Sequence, residues 1–284
     1  MTLSEIYKNT TTELQKAGAD SPAFDAVWLI NSVLDVSRQQ IVTDGDRPVS
    51  EEDAHTIIER TQRRISGEPL QYIIGYWEFF GRKFYVGEGV LIPRDDTEVV
   101  IRSTFEHLDN IYRHRPVKIL DLCSGSGIIA ITLKLRYPKA QVTAVEISPD
   151  ALMYLRKNAD SNNAEIHIIH DDIFHYADSI PEQEYDLIIS NPPYIPSDEM
   201  LTLQDEVRRE PALALDGGED GCDFYRRIIP VFTPKLKSKG MLALEYDSTQ
   251  SRTISQLMAQ YGYKNICVYK DIGDVDRAIN GTVD

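Results

Sequence analysis

The residues Ser190-Asn191-Pro192-Pro193-Tyr194-Ile195 directly follow the apolar run Tyr185-Asp186-Leu187-Ile188-Ile189. Such a run reads as a buried strand, and two prolines forbid its continuation. Pro192 lacks a donor and holds Asn191 extended, while Pro193 does the same to Pro192. An amide, a backbone carbonyl and an aromatic ring are thereby fixed at the C-terminal end of a strand, where ligands sit in open α/β sheets. The chemistry this group suits is alkylation of a planar NH2. A conjugated amino nitrogen is a poor nucleophile because its lone pair is delocalised. The Asn191 side-chain oxygen and the Pro192 carbonyl can each accept one of its hydrogens, holding the lone pair toward an electrophile. The Tyr194 face can cover the substrate plane and lie near a cationic donor. Asn-Pro and Pro-Pro also serve in plain surface turns, so the rest of the chain has to decide.

A second cluster lies upstream. Val117-Lys118-Ile119-Leu120-Asp121-Leu122 reads as a strand, Cys123-Ser124-Gly125-Ser126-Gly127 as a turn, and Ile128 to Leu135 as a helix. Glycines there let a ligand approach the backbone at a helix N-terminus. The next strand, Val142-Thr143-Ala144-Val145, ends in Glu146, 19 residues after Gly127. An acid at that place can accept both hydroxyls of a ribose. A third strand, Ile166-His167-Ile168-Ile169, runs into His170-Asp171-Asp172-Ile173. A nicotinamide dinucleotide is one reading, but Ala130 takes the last place of GxGxxG and Asn191 to Tyr194 would have no task. An adenosine-bearing methyl donor without a pyrophosphate accounts for all three sites: the turn for its amino-acid tail, Glu146 for ribose, and Asp172 with Ile173 for adenine. The plainer use of Asp172 is as a helix cap.

These residues need a framework. Met241-Leu242-Ala243-Leu244 predicts a fifth strand, and Ile266-Cys267-Val268-Tyr269 and Arg277-Ala278-Ile279 predict two more. Strands alternating with helices predict an α/β doubly wound sheet. Residues 1 to about 70 read as helices, with Leu3, Ile6, Tyr7 and Leu14 on one face, a start at Ser21-Pro22, and another at Ser50. Trp28 is expected in the core of this region. Arg60, Arg63 and Arg64 are expected to answer a helix dipole and stay solvated. Tyr72 to Phe80 and Lys83 to Val86 predict a β-hairpin of aromatic and β-branched strands joining two domains. Arg94, beside Asp95, Asp96 and Glu98, predicts a local ion-pair knot.

The 284 residues carry a formal net charge of -15, and residues 1–72 share the acidity with 7 Lys+Arg against 12 Asp+Glu. There is no overall basic footprint for holding nucleic acid by its phosphates, so a basic protein partner is expected and stable nucleic-acid binding is not. Met1 to Glu5 shows no secretory signal pattern, and no uncharged apolar stretch suggests a membrane span. Cys123, Cys222 and Cys267 are widely spaced and lack CxxC pairs, which predicts neither a disulfide framework nor a zinc site and fits a cytoplasmic chain.

Taken together, the chain resembles the bacterial release-factor glutamine methyltransferases, class I S-adenosylmethionine-dependent enzymes that methylate a protein glutamine on its side-chain nitrogen. The resemblance runs from Gly67-Glu68-Pro69 through Leu91-Ile92-Pro93-Arg94-Asp95-Asp96-Thr97-Glu98, the Asp121 turn and Asn191-Pro192-Pro193-Tyr194 to Glu210-Pro211-Ala212-Leu213-Ala214-Leu215-Asp216-Gly217-Gly218-Glu219-Asp220-Gly221. It implies a class I methyltransferase with a seven-stranded sheet over residues 94–284, a helical substrate-docking domain over 1–70 and a β-hairpin linker over 71–93. S-adenosylmethionine is the implied donor, and class 1 peptide chain release factors, through a Gly-Gly-Gln loop, the implied substrates. The family's donor site falls on Asp121, Cys123 to Gly127, Glu146, Asp172, Ile173 and Asn191. Its glutamine pocket, with the catalytic Asn191, Pro192 and Tyr194, falls on Asn191 to Tyr194. Cys123 stands where the family usually has glycine, and Ile173 where an aromatic is common. Adenine-N6 methyltransferases share the tetrapeptide, so DNA or RNA is an alternative substrate, and a non-catalytic binding protein on the same fold is a second alternative.

Overall fold

A computed structural model describes residues 1–284. Its internal contacts divide the chain into two compact units, Met1–Tyr76 with Gln204–Arg209, and Trp77–Leu203 with Glu210–Asp284. No helix is long and apolar enough to cross a membrane.

The first unit is helical. Helix α1 (Leu3–Lys16) opens on a Thr2–Glu5 capping box, α2 (Pro22–Leu34) on Pro22, α3 (Arg38–Thr43) on a Ser37–Gln40 box, and α4 (Glu51–Ile65) on Ser50. The Thr2, Ser37 and Ser50 side chains satisfy backbone donors the first turn leaves unpaired, while Pro22 removes one such donor from α2. Leu3, Ile6, Ile30, Ile41 and Ile57 meet in the core between these helices. Half-buried Trp28 packs edge-on against Tyr76, with centroids 6.4 Å apart.

Two readings need correction here. Leu70–Ile74 is a short helix, α5, and not a strand; Gly75, at φ 82°, closes it. Tyr72, Ile73 and Ile74 are buried, and their packing against neighbouring helices overrides a strand-like composition. Arg60 and Arg64 are not left to solvent, whereas Arg63 stays exposed as expected. Arg60 donates to the Ser32 carbonyl and hydroxyl, Arg63 forks onto Glu68, and Arg64 pairs with Asp25 at 2.7 Å and Glu206 at 2.5 Å. Burial pushes the Asp25 carboxyl above its usual range even with Arg64 beside it. Arg64→Ala would leave that carboxyl buried without its cation, so a loss of about 3 kcal/mol in urea unfolding is expected, and a loss near zero would contradict the pairing argument.

The hairpin consists of β1 (Tyr76–Phe79) and β2 (Arg82–Tyr85). Its turn is Phe80-Gly81, at φ 50° and 68°, the positive-φ pair whose twist suits a two-residue hairpin. Phe79 meets Phe84 edge-on.

Helices α6 (Thr97–Ser103) and α7 (Phe105–Tyr112) lead into the sheet of the second unit. There follow β3 (Lys118–Leu122), α8 (Ile128–Arg136), β4 (Gln141–Glu146), α9 (Pro149–Ser161), β5 (His167–His170), α10 (Ile173–Ser179) and β6 (Tyr185–Ser190). The sheet ends with α11 (Asp223–Phe232), β7 (Leu236–Glu245), α12 (Ser251–Gln260), β8 (Lys264–Lys270) and β9 (Asp276–Thr282). Its seven strands stand in the order β5-β4-β3-β6-β7-β9-β8. The first five are parallel, and β9 runs antiparallel to both β7 and β8. Every residue of β6 is buried, as expected where helices cover both faces of a central parallel strand. The chain winds outward from β3 to β5, then restarts at β6 on the other side. The crevice at this reversal lies beyond the C-terminal ends of β3 and β6.

Candidate active site

The turn after β3 is built on positive φ. Cys123 stands at 57°, Gly125 at 54° and Gly127 at 85°. A Cβ on Gly125 would meet nothing within 4 Å, whereas one on Gly127 would press on Ile131 and Leu155 at 3.0 and 3.1 Å. Gly125 thus borders open space, and Gly127 is needed for packing under α8. Cys123 tolerates the left-handed conformation at a cost of about 1 kcal/mol. Burial, with Glu146 nearby, pushes its thiol well above the ordinary range, so it carries no reactive thiolate.

Asp121 lies beneath this turn, fully buried. Its Oδ2 accepts from the Ala130 amide at 3.1 Å, and its Oδ1 has no partner. Burial pushes this carboxyl up to about 8. Its folded value lies above its unfolded one, about 3.9. The stability tied to its proton is therefore full at acid pH and lost as pH rises through about 8. Asp121→Asn keeps an oxygen for Ala130 and is expected to flatten part of this decline in urea midpoints measured across the interval. An unchanged slope would contradict the assignment. Glu245, also pushed up to about 8 by burial, accounts for a further part.

Glu146 ends β4. Its Oε2 accepts from the Gly125 amide at 2.7 Å and its Oε1 from the Ser148 amide at 2.8 Å. One carboxylate thus ties the β3 turn to the start of α9 and keeps further lone pairs for a ligand. Asp172 caps α10, its Oδ1 accepting from Phe174 at 2.7 Å and His175 at 3.2 Å. Cys123, Gly125, Glu146, Asp172, Ile173 and Asn191 all line one largely apolar cavity of about 130 Å³. Ser124, Ser126 and Ile129 border a smaller adjoining cavity of about 30 Å³, which shares Leu91, Cys123, Gly125 and Asn191 with the first.

Asn191 stands on the wall common to both. Its Nδ2 donates to Thr97 Oγ1 at 3.3 Å, and no donor of the chain reaches its Oδ1 or the Pro192 carbonyl. Pro192 and Pro193 are buried and Tyr194 is half-buried; Pro193 lines the larger cavity, whereas Pro192 and Tyr194 line neither. Burial, then Glu245, pushes the Tyr194 phenol well above its usual range.

The remaining motif segments hold this one in place. Gln250 Nε2 donates to the Tyr194 carbonyl at 2.8 Å and the Gly221 carbonyl at 3.1 Å. Ile195 exchanges backbone bonds with Leu215 and Gly217 at 2.9 and 2.8 Å. A Cβ on Gly217 would stand 2.6 Å from Tyr194 Cα, and one on Gly221 2.2 Å from the Tyr194 carbonyl oxygen, so glycine is required at both. Arg94 forms no knot with its neighbouring acids. It pairs with the buried Glu210, whose other oxygen accepts from the Ile92 amide at 2.9 Å. Sequence reasoning missed Phe224, which lines the larger cavity at the start of α11, together with Thr97 and Gln250. Each lies far along the chain from the residue it serves, and only the sheet brings them together.

Comparison with known proteins follows the same division. Residues 5–75 match the model of the PrmC N-terminal domain, and residues 102–216 that of the methyltransferase small domain. A crystal structure of a methyltransferase from Pyrococcus furiosus shares the fold, with TM-score 0.51 and 17% identity over 82% of this chain and 98% of that one. The release factor glutamine methyltransferase of Geobacter sulfurreducens is 34% identical over 99% of this chain and 97% of its own length. That of Thermodesulfovibrio yellowstonii is 36% identical over 90% of each. On this full-length similarity, the chain belongs to the release factor glutamine methyltransferase family.

Proposed function

We propose that the chain transfers a methyl group from S-adenosylmethionine to the side-chain amide nitrogen of the glutamine in the Gly-Gly-Gln loop of class 1 peptide chain release factors. The observation that carries this reading is the pair of unclaimed acceptors, Asn191 Oδ1 and the Pro192 carbonyl, at a strand end beside the cavity. A carboxamide NH2 has two hydrogens, and two fixed acceptors suit it.

The cavity residues fit the donor. Glu146 keeps lone pairs for ribose hydroxyls, the open space at Gly125 suits an amino-acid tail, and Ile173 with Phe224 offers apolar walls for a base. Asp172 is beside them with one oxygen engaged in capping. When bound, S-adenosylmethionine supplies an electrophilic methyl group. Asn191 and Pro192 orient the acceptor nitrogen so that its lone pair, not its hydrogens, faces that side. Tyr194 contributes through the packing that fixes the segment, since its carbonyl is held by Gln250. No catalytic base is needed before attack, because the nitrogen sheds its proton after gaining the methyl. The helical unit of residues 1–76 is assigned to docking the release factor, whose basic surroundings suit an acidic chain.

The test is transfer of labelled methyl to purified release factor, DNA and RNA under one set of conditions. Label in the release factor alone is expected. Label in adenine of either nucleic acid would replace this reading with the adenine-N6 one, and no label anywhere would leave a binding protein.

A further inference from the structure

Two loops of the second unit wall the larger cavity. Gly89, Val90 and Leu91 line it from the segment before α6, and Pro211, Leu213 and Ala214 from the segment before α11. Leu91 to Pro93 make no backbone bond to another residue, and the backbone bonds of Pro211 to Ala214 stay within their own turn. No ladder of the sheet therefore holds either wall, and loops without such bonds open at low free energy.

The carboxylate of Glu210 joins the two. It is 2% exposed, and its Oε2 accepts from the Ile92 amide at 2.9 Å while its Oε1 accepts from the Arg94 guanidinium. Bonds to two residues of one segment fix both its position and its rotation, and bonds to a charged acceptor are the stronger kind. At the other end of that segment Gly89 packs on the first turn of α9, where a Cβ would stand 2.6 Å from the Asp150 side chain. Leu91 lies between these two anchors and borders both cavities.

We propose that Glu210 is a positioning residue that clips the two loop walls together and thereby sets how long S-adenosylmethionine stays bound. This rests on the donor reading of the cavity. With both bonds made, the walls stand at a fixed separation across the donor. When Ile92 and Arg94 part from Glu210, the walls move independently and the donor escapes. A ligand held better by the clipped walls must stabilise the clip to the same degree, so the two support one another.

Glu210→Ala removes both acceptors. Stopped-flow release of S-adenosylmethionine from this variant is expected to be about tenfold to a hundredfold faster than from wild type, with association changed far less. In steady-state methylation of release factor the loss should appear in the donor KM, with kcat within about threefold of wild type. Glu210→Gln keeps one acceptor oxygen but loses the ion pair, so its release rate should fall between the two. Hydrogen exchange on wild type gives a second reading that needs no variant: the Ile92 amide should exchange more slowly once S-adenosylmethionine is added. Wild-type release from folded Glu210→Ala, or an Ile92 amide whose exchange the donor leaves unchanged, would overturn the proposal. If wild type itself bound no S-adenosylmethionine, the donor reading beneath it would fall instead.

Discussion

Asn191→Ala is expected to slow single-turnover methylation by about a hundredfold to a thousandfold while leaving donor affinity near wild type, since it removes an orienting contact made at the reacting nitrogen. The division follows from the site. Asn191 borders both cavities, yet the donor cavity keeps Glu146, Gly125, Ile173 and Phe224 without it. The backbone of the segment also survives the change, because Tyr194 is held by Gln250 and Ile195 is paired with Leu215 and Gly217. Single-turnover rates and calorimetry on one preparation separate the two quantities. A variant that methylates at the normal rate, or that fails only by losing the donor, would contradict the role.

The second large effect is expected at Glu146, and it concerns binding. Glu146→Ala should weaken S-adenosylmethionine about ten- to a hundredfold, the worth of one charge-assisted contact. The structure adds a sharper expectation for Glu146→Gln. Both carboxylate oxygens already accept backbone amides, from Gly125 and Ser148. A glutamine has one acceptor oxygen, so its NH2 must confront one of these donors and displace the turn or the start of α9. The isosteric change should therefore be about as harmful as alanine, where a residue serving only the ribose would tolerate it better. Calorimetry showing donor affinity unchanged in Glu146→Gln would contradict this double duty.

Much of this site was legible in the sequence because strand-end positions declare themselves. Glu146 and Asn191 each follow a short apolar run, and seven such runs with intervening helical patterns specify the sheet. Other features required contacts between distant residues. Arg64 looks like a solvated helix end until Asp25 and Glu206 are brought to it. Tyr72 to Ile74 looks like a strand until burial among helices makes it one turn of α5. The Gly217 and Gly221 pattern was visible, but its reason, close passage over the Tyr194 backbone, was not.

The most direct measurement of the central claim is where the methyl group goes. Release factor incubated with the chain and S-adenosylmethionine, then digested and sequenced by tandem mass spectrometry, should carry one methyl group on the side-chain nitrogen of the glutamine in the Gly-Gly-Gln loop. The modification should fall sharply with Asn191→Ala. A methyl group on any other residue, or undiminished modification by the Asn191 variant, would contradict the account.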